Sequence, residues 1–385
     1  MHIAWLGKKS PFCGNVTYGR EVTNALLDRG YQVSFLHFAQ EESESSDQGW
    51  PACPEVVLPF FYKSQVYTIP TPKSSKVLTQ ALAKLKPDIV HASLTLSPLD
   101  FRLPEICEEL NLPLIATFHP PFDSKLRNLK SSTQFLTYQL YAPFLANYDK
   151  TIVFSRLQQH LLVKLGVPRT KLAVIPNGVD VQKYFPGVSD LKSRFDAKRL
   201  FVYLGRISTE KNVEALLKAW KHSNMNRDSK LLIVGDGPLT AALRPFYNEE
   251  CGIIWLGFVA EEYRRIEILR AADVFILPSL VEGLSLSLLE AMACGIACIA
   301  TDAGADGEVL EDGAGIIIKT QGVTTQLKTL LPLFQDHPEI TKLLGKKARE
   351  RVLERYTLCH NITKLEKLYA DVLNDRQSRL LDKLT

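Results

Sequence analysis

Short runs of β-branched and aliphatic residues recur along this chain with helix-forming stretches between them. That alternation restricts it to parallel sheets with helices packed on both faces, an α/β architecture. The first series is HIAWLG (2–7), QVSFLHF (32–38), DIVHAS (88–93), LIATFH (114–119), KTIVFS (150–155) and KLAVIP (171–176). Within it the pattern predicts a helix over about 17–29, closed by Gly30. The second series is RLFVYLG (199–205), KLLIVGD (230–236), IIWLGF (253–258), VFILPS (274–279) and CIATD (298–302). The segment between them, near Asn177 to Gly187, is rich in Pro, Gly and Asn and reads as a boundary. At 385 residues the chain also exceeds one ordinary core. The predicted division is 1–177, 178–356, and a closing segment 357–385 whose amphipathic helix, about 357–373, is expected to pack back on the first domain.

Hydrophobic residues make up 46% and charged residues 23% of the chain, close to globular averages, and no stretch reaches the roughly 18 apolar residues of a membrane span. In MHIAWLGKK the lysines follow the apolar run instead of preceding it, which favours a first strand over a leader. The seven cysteines contain no CxxC pair, which points to reduced thiols in a cytoplasmic setting and away from zinc. The loop from Gly7 to Gly19 is not GxGxxG, and no acid ends the second strand, so a nicotinamide cofactor is not expected.

The residues with most chemical content lie in PSLVEGLSLSLLEAMACGIACIATD, 278–302. Gly283 breaks the chain just after Glu282, and Leu288, Leu289, Met292 and Ala293 then follow at the spacing of a buried helical stripe. The helix is thus predicted to begin near Leu284 or Ser285. Free N–H groups at such a start, with the positive end of the helix dipole, suit a phosphate. Glu290, two turns on, is placed for sugar hydroxyls, and a sugar nucleotide has both parts. Glu282, set among Leu280, Val281, Gly283 and Leu284, needs a partner. Upstream, Arg206 and Lys211 follow the strand ending Leu204-Gly205, where two cations can neutralise a diphosphate. Taken alone, Lys211 would instead pair with Glu210 or Glu214 on the surface.

Gly205-Arg206 with Lys211-Asn212, VGDGP (234–238), LGFV (256–259), the PSxxEG stretch with Glu290-Ala291, and ATD together resemble the retaining GT-B glycosyltransferases of family 4. The resemblance covers nearly the whole chain. It implies two Rossmann-like doubly wound domains facing a deep cleft, the first for the acceptor and the second for the nucleotide-sugar donor. It also implies that Arg206 and Lys211 hold the diphosphate, that Phe258 and Val259 lie by the base, that Glu290 binds the ribose, and that Glu282 faces the sugar. The N–H groups of Leu284, Ser285 and Leu286 would complete the donor site, with Gly14 carried over from the first loop. His119 stands where the family has a His beside the donor sugar, although the chain reads His119-Pro120-Pro121 where the family usually has His-Asp or His-Gly. The sequence also has Gly304-Ala305 where the family has Gly-Gly, followed by a matching acid at Glu308. No metal or other cofactor is implied.

Between Glu55 and Asp88 there is no acid, while Lys63, Lys73, Lys76, Lys84 and Lys86 are present with Phe60, Phe61, Tyr62 and Tyr67. A second basic zone, 121–171, includes Lys125, Arg127 and Lys130 and carries Phe135, Tyr138, Tyr141, Phe144 and Tyr148. Basic and aromatic side chains together suit anionic lipid head groups, so the protein is expected at the cytoplasmic face of a membrane. No nucleic-acid partner is expected, and oligomeric state is not legible. The opening MHIAWLGKKSPFCGNVTYGREV is similar to cyanobacterial glycosyltransferases of the digalactosyldiacylglycerol-making type. That implies transfer of a hexose, with retention, from UDP-galactose or UDP-glucose to a membrane glycolipid such as monogalactosyldiacylglycerol. A soluble sugar or polysaccharide precursor as acceptor, UDP-sugar 2-epimerisation, and non-catalytic nucleotide-sugar binding are the readings held against it.

Overall fold

A computed structural model describes residues 1–10, 13–38, 49–50, 52–64, 66–122 and 129–382, with the side chains of 129–133 and 379–382 left aside. The chain divides into two compact units. One comprises Met1–Pro120, Leu136–Asn177 and Cys359–Thr385; the other comprises Pro121–Phe135 and Gly178–Leu358.

The first unit contains β1 (His2–Gly7), β2 (Gln32–His37), β3 (Glu55–Val57), β4 (Phe60–Lys63), β5 (Thr68–Pro70), β6 (Ile89–Ser93), β7 (Leu114–Thr117), β8 (Lys150–Val153) and β9 (Leu172–Val174). Seven of these form one sheet in the order β3-β2-β1-β6-β7-β8-β9, parallel throughout. Its central strands are buried on both faces, as largely apolar runs such as IVHAS require. β4 and β5 stand apart as a two-stranded antiparallel hairpin that the sequence pattern did not reveal. The first helix, Gly14–Asp28, begins three residues earlier than expected, because Cys13 in extended conformation already serves as its N-cap.

The second unit contains β10 (Arg199–Leu204), β11 (Ser229–Val234), β12 (Ile253–Gly257), β13 (Val274–Leu277), β14 (Ala297–Thr301) and β15 (Ile316–Ile318), in the order β12-β11-β10-β13-β14-β15 and again parallel. Both units are therefore doubly wound and Rossmann-like. The last helix runs from Leu358 to Asp382, well beyond the 357–373 expected. Its residues from Cys359 onward belong to the first unit, where Tyr369 OH meets His91 Nδ1 at 2.5 Å and Asn361 Nδ2 donates to the Pro176 carbonyl at 2.8 Å. Arg29 grips the same helix through Glu366 and the Cys359 carbonyl.

Candidate active-site residues in the two units

In each sheet the strand order reverses at one place: at β1, flanked by β2 and β6, and at β10, flanked by β11 and β13. At such a switch point the loops at the strands' carboxyl ends diverge and leave room for a ligand. Of the residues picked out in the sequence, Gly14, Arg206, Lys211 and Glu282 follow strands at these two places, while His119 follows β7 and Phe258 and Val259 follow the edge strand β12.

In the second unit, Lys211 follows β10 and Glu282 follows β13. The Lys211 Nζ donates to Glu282 Oε1 at 2.5 Å, and Ser279 Oγ donates to the same oxygen at 2.7 Å. Glu282 is 6% exposed. The local pairing that the sequence allowed for Lys211 does not form, because Glu210 accepts from Ser208 Oγ at 2.5 Å and Glu214 pairs with Lys218 at 2.7 Å. Burial works against the Lys211 charge, yet the Glu282 carboxylate outweighs it and holds the ammonium above its ordinary range. Arg206 is exposed, and its carbonyl is fixed by the Tyr203 hydroxyl at 2.7 Å. The loop after β10 is also pinned by Gly235, at φ +134°, whose Cβ position would lie 1.9 Å from the Gly205 carbonyl oxygen. Only glycine permits that approach.

The helix after β13 spans Leu286–Ala293, starting slightly later than expected, with Ser285 as N-cap accepting from the Leu288 N–H at 3.4 Å. Of the three N–H groups assigned to a ligand, that of Ser285 is engaged: it donates to Asp306 Oδ1 at 3.0 Å. This corrects the expectation that it is open. Asp306 is fully buried, and its Oδ2 has no partner among the described residues. Burial, with the Glu282 charge adding to it, raises the Asp306 carboxyl well above the usual carboxylate range, against the Ser285 N–H and Lys211. The two loops can touch because Gly304 adopts φ +56°, with the Glu282 carbonyl oxygen 2.1 Å from where a Cβ would sit. Leu284 is buried and Leu286 half-buried, the Leu286 N–H lacks an intrahelical acceptor because it opens the helix, and the Glu282 carbonyl accepts from the Phe122 N–H at 2.9 Å. Glu290 is half-buried and close enough to Tyr184 that its charge adds to burial in raising that phenol. Phe258 is 59% exposed just past β12, and the Val259 carbonyl accepts from Arg265 Nη1 at 3.1 Å.

In the first unit, His119 lies two residues past β7 and is half-buried, with Tyr18 edge-on at 5.0 Å and Phe154 at 5.1 Å between ring centroids. Its Nε2 is 2.7 Å from Ser93 Oγ, at the end of β6. Asn15, next to Gly14 at the start of the first helix, completes the set: its Nδ2 donates to the Leu94 carbonyl at 3.0 Å, and its Oδ1 accepts from Ser93 Oγ at 2.8 Å. This order assigns the proton positions. The Asn15 amide fixes Oδ1 as acceptor, so the single Ser93 proton points there, and Ser93 Oγ must accept from an Nε2–H of His119. Nδ1 then carries the lone pair. Burial pushes the imidazole down to about 3, with the Lys8 ammonium adding to this, so the ring is neutral at physiological pH. The sequence had drawn attention to Gly14; the side chains that join His119 in this hydrogen-bonded set are its neighbour Asn15 and Ser93, which the sequence did not single out.

Beneath this set, His91 is fully buried against Tyr369 and Thr117, and burial, then His119, holds it down to about 3 against an ordinary 6.5. The unfolded chain takes up this proton below pH 6.5 and the folded chain does not. Stability should therefore be full above pH 6.5 and fall on acidification toward pH 3, by up to about 1.4 kcal/mol per pH unit from this ring. Urea midpoints measured from pH 7 to 4 should show a shallower decline in His91→Gln.

The second basic-aromatic zone is only in part the surface the sequence suggested: Phe144 is 36% exposed, but the three tyrosines are not. Tyr138, Tyr141 and Tyr148 are buried and donate to the Pro120 carbonyl, Asp100 Oδ2 and the Asp100 carbonyl at 2.7, 2.9 and 2.7 Å. They are core residues. Lys125 and Arg127 lie outside the described residues, as does the Lys130 side chain. The first zone does reach solvent, with Phe61 71%, Tyr62 49% and Tyr67 44% exposed.

Comparison with known families agrees with this geometry. The "Glycosyltransferase Family 4" model matches residues 14–183 and the "Glycosyl transferases group 1" model residues 198–336. The chain thus belongs to the group 1 and family 4 superfamily of GT-B glycosyltransferases. Among curated proteins it is 30% identical over 243 residues to the UDP-Gal:alpha-D-GlcNAc-diphosphoundecaprenol alpha-1,3-galactosyltransferase of Escherichia coli, covering 60% of this chain and 59% of that protein. It is 26% identical over 356 residues to the sulfoquinovosyl transferase of Arabidopsis thaliana, covering 85% of this chain and 68% of the relative. The chain spans somewhat under three fifths of the length of the first of these. Among solved structures, sucrose-phosphate synthase from Thermosynechococcus elongatus aligns with a TM-score of 0.78 at 20% identity, over 97% of this chain and 99% of that one, which establishes the shared fold.

Proposed function

We propose that the protein is a retaining hexosyltransferase that moves a hexose from a UDP-sugar, UDP-galactose or UDP-glucose, to a hydroxyl of a membrane glycolipid at the cytoplasmic face of a membrane. The observation that carries this reading is the Lys211–Glu282 pair, with its carboxylate buried, at the switch point of the second sheet, and Arg206 on the same loop. Lys211 has three N–H donors, so it can keep Glu282 and still reach a phosphate oxygen. Arg206 and Lys211 would stabilise the charge that develops as the anomeric C–O bond to the diphosphate breaks. The acceptor oxygen forms the new bond on the same face of the sugar, and its proton passes to the leaving phosphate oxygen. Glu282 accepts hydrogen bonds from the sugar hydroxyls, Glu290 from the ribose, and Phe258 and Val259 lie by the base. The neutral His119 accepts from a sugar hydroxyl through Nδ1 and orients the ring. No step calls on a metal.

The glycolipid acceptor is favoured by the similarity to a galactosyltransferase and a sulfoquinovosyl transferase whose names specify, in the first case, a diphosphoundecaprenol-linked acceptor. Among the described residues no helix is long and apolar enough to cross a membrane. The test is incubation with radiolabelled UDP- and GDP-sugars and total membrane lipid. Label should enter the organic phase from a UDP-hexose. Label confined to water-soluble product would replace the lipid with a soluble acceptor, and isomerised sugar without acceptor would indicate an epimerase.

A further inference from the structure

We propose that the β4–β5 hairpin is the element that seats the protein on an anionic lipid bilayer, its outer face entering the head-group region. β4 and β5 pair antiparallel, with Tyr62 opposite Ile69 and Lys63 opposite Thr68, and the register shifts at Phe61. Partners across a pair share a face, so the hairpin has two unlike sides.

The inner side is tied down. Thr68 is fully buried, Lys63 reaches Ser10 Oγ, and the Lys8 Nζ donates to the Ser64 carbonyl at 3.2 Å. Ser74 Oγ fixes the Pro59 carbonyl at 2.5 Å. The outer side and the tip are bare: Phe61, Tyr62, Val66, Tyr67 and Ile69 are between 42% and 71% exposed, and the Tyr62 and Tyr67 rings lie 5.6 Å apart. Isolated exposed apolar residues need no explanation, but five within nine positions on a two-stranded ribbon do. Water penalises such a surface.

What covers it is indicated by charge. Lys73, Lys76, Lys84 and Lys86, on and around the following helix Ser74–Leu85, are exposed, and no acid occurs between Glu55 and Asp88. Among the described residues none of these four lysines forms an ion pair. Tyrosine with phenylalanine beside unpaired lysine is the composition that partitions to the boundary between anionic head groups and acyl chains. The hairpin's anchors, Lys8 and Ser10, lie on the loop after β1 that leads to Asn15 and the Ser93–His119 set. A docked hairpin would therefore hold the first unit's ligand loop close to the lipid phase.

The inference extends the glycolipid reading and can fail separately from it. The test is co-sedimentation of the full chain with vesicles of pure phosphatidylcholine or of phosphatidylcholine with 30 mol% phosphatidylglycerol (roughly the anionic content that gives a strong surface potential). The wild type should bind the anionic vesicles and lose binding as salt rises. Phe61→Ser with Tyr67→Ser should weaken binding at least tenfold (roughly the partition energy of one large side chain) while leaving the melting temperature unchanged. Lys73→Glu with Lys76→Glu should weaken it by a similar factor without touching the aromatics. Wild-type binding that is absent, or equal for all three proteins, overturns the proposal. So does a change in oligomeric state in the hairpin variant with vesicle binding intact, which would identify a second copy of the chain as the occupant. Transfer to a detergent-dispersed acceptor should persist in both variants. If it is missing in the wild type as well, the transferase reading fails, independently of the vesicle result.

Discussion

Lys211→Met should destabilise the second unit by about 3–5 kcal/mol and Glu282→Leu by less, because the Lys211 ammonium keeps access to water, whereas the double variant should recover most of the larger loss. The reason is burial: Glu282 is 6% exposed and its Oε1 is shared by Lys211 and Ser279, so removing the lysine strands the carboxylate's charge. Replacing both removes the charges together. Transfer activity should follow a different pattern, falling on the order of 10²–10³-fold in all three proteins, because Lys211→Met removes a cation from the departing diphosphate and Glu282→Leu removes the acceptor for the sugar hydroxyls. Thermal melts and donor turnover on the same preparations separate the two effects. A double variant that is both stable and active would show the pair to be structural only.

His119→Ala should lower turnover on the order of 10²-fold, with far less effect on stability, since the ring is half-buried beside Tyr18 and Phe154. The more telling variant is Ser93→Ala. It leaves the imidazole in place but removes the acceptor for Nε2–H, so the tautomer that keeps Nδ1 unprotonated is no longer enforced. Turnover should fall about tenfold, the cost of leaving one polar group unpaired. Ser93→Thr, which restores a hydroxyl, should recover it. Equal activity in Ser93→Ala and wild type would remove the Asn15–Ser93 relay from the reaction.

Which parts of this were legible in the sequence follows from distance along the chain. The central strands were readable because a parallel strand buried on both faces tends to a continuous apolar run, as in LLIV, though His91 and Ser93 interrupt it in IVHAS. The helix start in the Pro278–Asp302 stretch was readable because a glycine break followed by a helical stripe is a local signature. The pairing of Lys211 with Glu282 was not, since the two lie 71 residues apart and two nearer acids competed for the lysine. The aromatics of the second basic zone misled for a related reason: Tyr138, Tyr141 and Tyr148 reach hydrogen-bond acceptors only after the helix Leu129–Leu145 packs near Asp100. The β4–β5 hairpin was invisible because a strand of three or four residues carries too few positions to show a period.

The sequence by itself determined the two doubly wound sheets and their order along the chain, since both rest on local periodicity. Tertiary structure alone decided which charges neutralise each other, which His119 nitrogen carries the proton, and that Asp306 occupies the Ser285 N–H. Those outcomes depend on which strands become neighbours at the switch points, and a parallel sheet brings together side chains that no local pattern connects.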